Sequence, residues 1–253
     1  MCSFRKPQPA LAICVALALS AGCATDPNRP SSLWQRREPT DDVAAAQERV
    51  EGTPTERRAG ILLASARTLE MDGQWDQAGD VYRKILAADP QQVEAAHRLA
   101  IWYCRQGRFD QAESLYRMCL ERDPNNAELI CDLGYACYLQ GRWAEAEQHF
   151  DRALDLAPSL RRARMNRGIL YARSGRTAEA LSEFSKAGCT RAQAKANVAF
   201  AAMMSEDWDT AIAYYQQALG QDPKLDKATA GLQTAQRVRQ QGPETTVQTA
   251  KPF

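Results

Sequence analysis

Few residues in this chain are able to do chemistry, and their spacing excludes most of what they could do. Eight cysteines stand at positions 2, 14, 23, 104, 119, 131, 137 and 189. No two form a Cys-x-x-Cys pair, so the signature of a zinc ribbon or a thioredoxin-like dithiol is missing. His97 and His149 are the only histidines, which leaves little room for histidine metal or acid–base chemistry. The phosphate-cradling Gly-rich loop, His-Glu-x-x-His and Gly-x-Ser-x-Gly are all missing. The expectation is a binding protein with no catalytic residue, cofactor, metal or small-molecule substrate. An enzyme with an unrecognised site is the alternative of another class. Lys and Arg total 32 against 31 Asp and Glu, a net charge of +1, so no chain-wide attraction to nucleic acid is expected. With 45% apolar and 25% charged residues, the chain has the composition of a soluble globular protein with a sizeable core.

The first cysteine with a specific reading is Cys23. Arg5 and Lys6 precede the apolar run Ala10 to Leu19, which is followed by Ser20-Ala21-Gly22-Cys23. An apolar run this short falls well below the roughly 20 residues of a membrane-spanning helix; the pattern is that of a cleavable export signal over residues 1–22. Small-small-Cys after an apolar run resembles the lipobox of bacterial lipoproteins. That resemblance implies that Cys23 becomes the lipidated first residue of the mature chain, with an incidental thiol after an ordinary signal as the alternative. Several acyl chains on one residue hold stably where a single chain does not. The implied location is the bacterial cell envelope, facing the periplasm, and Ala24 after the cysteine favours the outer membrane over the inner. Residues 23–58, with Asp26-Pro27-Asn28-Arg29-Pro30 at their start, read as a flexible tether. A short helix from Val43 to Val50 is possible within them, after Pro39-Thr40-Asp41-Asp42.

Behind these residues lies the strongest pattern in the chain. Gly73, Gly107, Gly141 and Gly175 are spaced by 34. Ala78, Ala112, Ala146 and Ala180 keep the same step, as do Tyr82, Tyr116, Phe150 and Phe184, while Pro90, Pro124 and Pro158 close three units. Trp208, Ala211, Tyr215 and Pro223 continue after a step of 31, three residues having been lost around Gly188-Cys189-Thr190. The segments GQWDQAGDVYRKILAADP, GRFDQAESLYRMCLERDP and GRWAEAEQHFDRALDLAP resemble the second helix of the tetratricopeptide repeat. The resemblance implies an all-α fold: a right-handed solenoid of five helix-turn-helix repeats plus a capping helix. The repeats would span 59–92, 93–126, 127–160, 161–191 and 192–225, the capping helix 226–240 and a disordered tail 241–253. Gly supplies the turn, Ala the close helix contact and Pro the stop.

The family register also implies where a partner binds. First helices line the concave groove, and their groove positions here carry His97, Arg98, Ile101, Cys104 and Arg105 in the second repeat. The third contributes Cys131, Asp132, Tyr135, Tyr138 and Leu139. The fourth contributes Met165, Asn166, Ile169 and Arg173, and the fifth Asn197, Phe200, Met203 and Met204. Aromatic and methionine side chains among amides suit an extended or helical peptide; an extra terminal helix folded into the groove would use the same residues. Glu128 and Asp132 stand where the family's carboxylate-clamp members place basic residues, so that clamp is not expected. Arg161, Arg162, Arg164 and Arg167 allow two readings: a basic recognition patch, or long stems packed on neighbours with their heads reaching Glu147, Asp151 or Asp155. Cys119 and Cys137 occupy packing positions, filled in other repeats by Ala153 and Ala218 and by Tyr103 and Tyr171, and read as buried thiols. An exported chain also allows disulfides among the five later cysteines.

A lipobox followed by such repeats is similar in architecture to pilotins and Tad-type pilus-assembly lipoproteins. The expected function is a membrane-anchored scaffold that binds a protein or peptide in its groove and helps assemble a pilus or secretion machine. An adaptor for peptidoglycan enzymes is the alternative.

Overall fold

The computed structural model describes residues 54–241. The signal, Cys23, the segment 43–50 and the tail beyond residue 241 lie outside the described residues. Among the described residues there are eleven helices and no strand, and no helix is long and apolar enough to cross a membrane. They divide into two compact units at Arg108/Phe109.

The first unit holds α1 (Pro54–Met71), α2 (Trp75–Ala88) and α3 (Val93–Arg105). Helix α1 starts inside the segment expected to be tether, at a proline, whose fixed φ and missing N–H suit the first turn of a helix. Leu63, Ala66, Ala78, Tyr82, Ile85 and Leu99 form the buried interior. Trp102 packs against Gly79 so closely that a β-carbon there would lie 2.9 Å from the indole. The indole Nε1 donates to Asp76 Oδ1 at 3.1 Å.

The second unit holds α4 (Phe109–Arg122), α5 (Ala127–Leu139), α6 (Trp143–Leu156), α7 (Arg161–Arg173), α8 (Thr177–Lys186), α9 (Arg191–Met204), α10 (Trp208–Gln221) and α11 (Asp226–Gln241). Each helix packs on the next, and the inner helices α5, α7 and α9 also pack side by side. Local sequence sets the boundaries. The Asn126 side chain caps α5 by accepting from the Leu129 N–H at 3.1 Å, and Thr190 with Gln193 forms a capping box on α9, so that otherwise orphaned N–H groups are satisfied. Helices α5, α7 and α9 end in the same bonded turn: Arg142 N–H to Cys137 O, Arg176 N–H to Tyr171 O and Asp207 N–H to Ala202 O, at 2.8–3.0 Å. That turn needs a left-handed residue. Gly141 and Gly175 supply it at φ 76° and 77°, but Glu206 takes the same conformation at φ 59°.

The three-residue loss in the fourth repeat shortens α8 to 10 residues, against 14 in α6 and α10. The core of this unit runs through Ile130, Phe150, Ala163, Leu170, Phe184 and Val198, and continues around Ala199, Tyr215 and Ala228. Helix α11 buries Ala228 and Ala235 fully on its inner side. The buried cysteines are part of this packing: Cys119 and Cys131 are 0% exposed and Cys137 1%. No disulfide joins the five cysteines from Cys104 to Cys189, and burial pushes the thiols of Cys119 and Cys131 up to about 11, away from the thiolate that reacts.

Candidate peptide-binding surface

The inner helices of the second unit place most of the groove residues on one side, and the structure sorts them into exposed and buried. Tyr135 is 41% exposed, Leu139 38% and Met204 40%, while Asn166, Ile169, Arg173, Asn197, Phe200 and Met203 are half-buried. The Tyr135 ring stacks on Tyr138 with centroids 5.8 Å apart and an interplanar angle of 22°.

Five expected groove residues are instead buried, among them Cys104 at 8% and Cys131 at 0%. Tyr138 is 4% exposed; its hydroxyl accepts from Arg173 Nη1 at 3.0 Å and points to Met204 Sδ at 3.9 Å. Burial raises its pKa against the opposing effect of Arg173, so the hydroxyl stays neutral and donates. Met165 is 6% exposed, with Cys189 Sγ 3.6 Å from its sulfur. Asp132 is 8% exposed because Arg162 of the next inner helix reaches across and pairs with it at 3.2 Å. Tyr138, Met165 and Asp132 support the surface from beneath. Neighbouring inner helices cover Tyr138 and Asp132, and Cys189 of the loop before α9 lies against Met165; the register of one helix does not reveal that cover.

The two groove amides rest on thiols. Asn166 Nδ2 lies 3.6 Å from Cys131 Sγ and Asn197 Nδ2 lies 3.7 Å from Cys189 Sγ. A thiol is a weak acceptor, so much of each amide's hydrogen-bonding capacity is left for a ligand backbone.

In the first unit His97, Arg98, Ile101 and Arg105 are half-buried on α3. Arg98 is 3.5 Å from Glu70, and the Arg105 guanidinium lies 4.2 Å from the Trp75 ring centroid. His149 is half-buried on α6, its β-carbon facing Gly134 of α5. Burial there lowers its pKa. Among the described residues no cluster of three or more His, Cys, Asp or Glu is placed to hold a metal.

The arginine cluster is used internally. Glu183, 3% exposed, accepts from Arg167 at 2.8 Å and lies 3.3 Å from Arg164, and Arg167 also pairs with Asp151. Arg161 Nε donates to Ala187 O at 2.9 Å. Of the acids expected to receive these heads, Asp151 does; Glu147 pairs with Arg176 instead, at 2.8 Å. The main acceptor, Glu183, was missed because it lies in the same repeat as the arginines and not in the preceding one.

Tetratricopeptide repeat models match residues 59–102, 91–159 and 125–187, together running from residue 59 to residue 187. The chain belongs to the tetratricopeptide repeat family. The thermophilic tetratricopeptide protein TTC0263 of Thermus thermophilus has a similar structure, with 21% identity and a TM-score of 0.56 over 71% of this chain and 99% of that one. The structure described as pilF of Pseudomonas aeruginosa is similar over 76% of this chain and 96% of that one, at 20% identity and a TM-score of 0.53. At these identities the likeness concerns the fold, which is all-α and of the tetratricopeptide solenoid class. No curated protein matches the chain. As a tetratricopeptide scaffold, the protein is of a kind that mediates protein interactions.

Trp143 was missed as a groove residue. Arg173 lies over its ring, 5.4 Å from the centroid. The same pairing of Trp75 with Arg105 in the first unit, at the same separation of 30 residues, was the available signal.

Proposed function

We propose that this protein is a lipid-anchored, non-enzymatic scaffold of the bacterial cell envelope whose inner-helix surface captures a peptide segment of a protein partner. One observation carries the capture. Six large apolar side chains stay exposed among the described residues: Ile61, Met71, Tyr135, Leu139, Leu156 and Met204. Three of these gather on the inner helices α5 and α9, beside half-buried Asn166, Asn197 and Phe200. Apolar anchors amid amides are what a peptide needs, since aromatic and aliphatic anchors supply most interface energy and amides satisfy the backbone.

The anchor is supported by sequence: Cys23 directly after a basic start, an apolar run and Ala21-Gly22. A place in pilus or secretion-machine assembly is supported by architecture, a lipobox followed by a tetratricopeptide array. The pilF structure is similar in fold.

Two measurements test this reading. Cys23→Ser should release the protein into the soluble periplasmic fraction and abolish incorporation of labelled palmitate; continued membrane association with no palmitate in the wild type would refute lipidation. For capture, the partner is identified by pull-down and mass spectrometry, and its affinity measured. Tyr135→Ala with Leu139→Ala should weaken binding by more than about 2 kcal/mol with helicity intact. Tyr138 is left alone because its burial would confound the result. Glu145→Ala with Gln111→Ala, at exposed sites on second helices, should change little, and the opposite ranking would move the site to the outer face.

A further inference from the structure

Many arginines of the second unit are neutralised within the fold, while Arg152 and Arg161 donate to backbone carbonyls. Arg142 pairs with Glu113 and Glu145, Arg162 with Asp132, Arg164 and Arg167 with Glu183, and Arg176 with Glu147 and Glu179. Arg173, the last residue of α7, likewise has no carboxylate, and it stands at the exposed apolar surface. Its partners are all neutral: Nη1 donates to the Tyr138 hydroxyl at 3.0 Å, and Nε donates to Ser205 Oγ at 3.3 Å. The guanidinium carbon lies 5.4 Å from both the Tyr138 and the Trp143 ring centroids. No carboxylate among the described residues pairs with it, and Nη2 makes no hydrogen bond to them.

This guanidinium is therefore held in place without being neutralised. Two aromatic faces and two hydroxyls fix its plane, so little rotamer freedom remains to be lost when a ligand binds. Aromatic faces attract the cation but do not cancel its charge. The position is also at the exposed apolar surface: the Tyr138 hydroxyl that Arg173 touches faces Met204, and the Tyr138 ring stacks under Tyr135.

Charge balance along the surface points the same way. Helices α7 and α9 carry no acidic residue; of the two acids on α5, Asp132 is paired with Arg162 and Glu128 stands in the first turn, ten residues before Tyr138. A ligand crossing this face meets net positive charge concentrated where Arg173 stands.

We infer that Arg173 is the seat for a carboxylate side chain of the bound peptide, an Asp or Glu flanked by an apolar residue that lies against Tyr135, Leu139 and Met204. Resting on the capture reading above, this inference names the partner's chemistry: an acidic–apolar segment of a protein. A planar, pre-oriented guanidinium offers the carboxylate paired N–H donors, a charge-assisted contact stronger than a neutral one. Beside half-buried aromatic walls, that contact is less screened than at an open surface.

The test uses the purified full chain and a random-peptide display library. With the wild type, selected peptides should share an Asp or Glu next to an apolar residue. With Arg173→Gln, which keeps donors for Tyr138 and Ser205, the acidic preference should vanish while the apolar preference persists. For one selected peptide, replacing its Glu by Gln should weaken binding to the wild type about tenfold or more and leave binding to Arg173→Gln nearly unchanged. A photo-crosslinker placed beside the peptide's Glu should label Tyr135–Leu139 or Met203–Ser205 of the unmodified protein, an arm that survives any loss of folding in the variant. Selected peptides without an acidic preference, a preference that persists in Arg173→Gln, or labelling elsewhere would each overturn the assignment while leaving capture standing. Selection of no peptide at all would overturn both.

Discussion

The inner helices of the fourth and fifth repeats, α7 and α9, occupy equivalent places and are held there by opposite physics. Helix α7 has five arginines and no acid; its register against α8 depends on Glu183 receiving Arg164 and Arg167. Helix α9 instead buries Ala192, Ala194, Ala196, Ala199, Ala201 and Ala202, so that backbones approach closely and shape complementarity sets the register. Charge clusters in a core carry a desolvation cost that only complete pairing offsets, while small-residue packing tolerates no added volume. A tetratricopeptide register therefore does not require one kind of interior. The arginine-rich helix ends at the exposed apolar surface in Arg173, a cation without a carboxylate, whereas the alanine-rich helix ends at its equivalent position in exposed Met204.

The largest way to break this comparison is Glu183→Gln. It leaves Arg164 and Arg167, whose side chains are 18% and 17% exposed, without their shared carboxylate. The expected loss is about 3 kcal/mol, the low end for breaking a buried pair because both cations keep some water. Burial pushes the Glu183 pKa up, but the hydrogen bonds and charges of Arg167 and Lys186 outweigh it and hold the carboxyl below its ordinary 4.5. A depressed carboxyl contributes stability above its unfolded-state value and loses it as pH falls through the folded-state value. Urea unfolding should therefore show a gap between wild type and variant that is full at neutral pH and narrows below the ordinary 4.5. An unchanging gap would mean that Glu183 acts by packing alone.

The counterpart in α9 is Ala199→Leu. Ala199 is 0% exposed, and forcing a larger side chain into a filled contact costs about 1–3 kcal/mol. Ala146→Leu in α6, also at 0%, should behave alike. Both losses should be insensitive to pH, and a thermal-unfolding series across pH separates them from Glu183→Gln.

What was legible in the sequence follows the same division. The helical pairs were legible because glycine, alanine, aromatic and proline recur at 34, and each residue type answers a local demand: a left-handed turn, a close contact, a filled gap, a stop. The interior location of Cys119 and Cys137 was legible for a similar reason, since these cysteines substitute for packing residues, whereas Cys131, expected in the groove, is fully buried. Three polar or large side chains were misplaced, and each owes its setting to another element of the array. Tyr138 is covered by Arg173 and Met204, Met165 lies under Cys189, and Asp132 is neutralised by Arg162. Register within one helix gives the face a residue is on; whether a residue on that face is reachable depends on side chains of other elements.

The turn that ends each of these helices gives a smaller contrast. Gly175 follows α7 at φ 77°, and Glu206 follows α9 at φ 59°, in a conformation that costs a residue with a β-carbon about 1–2 kcal/mol. Glu206→Gly should therefore raise stability by up to about 1 kcal/mol, part of the gain being offset by the greater freedom of glycine in the unfolded chain. Gly175→Ala should lower it. Paired denaturant curves check both, and equal effects of the two substitutions in the same direction would show that the turns are not equivalent.

The smallest expected change in stability is at Met204, and it tests whether the end of α9 is built for the fold or for a ligand. The side chain is 40% exposed, and its polar contact to the Tyr138 hydroxyl is a long one, 3.9 Å. Truncating an exposed side chain away from the core shifts stability by no more than about 0.5 kcal/mol, so Met204→Ala should unfold with nearly the wild-type midpoint. At the surface, however, Met204 supplies adaptable apolar area beside Arg173, and its loss should weaken peptide binding several-fold. A variant that binds normally but unfolds early would place Met204 in the fold, and leave Tyr135 and Leu139 as the apolar side of the surface.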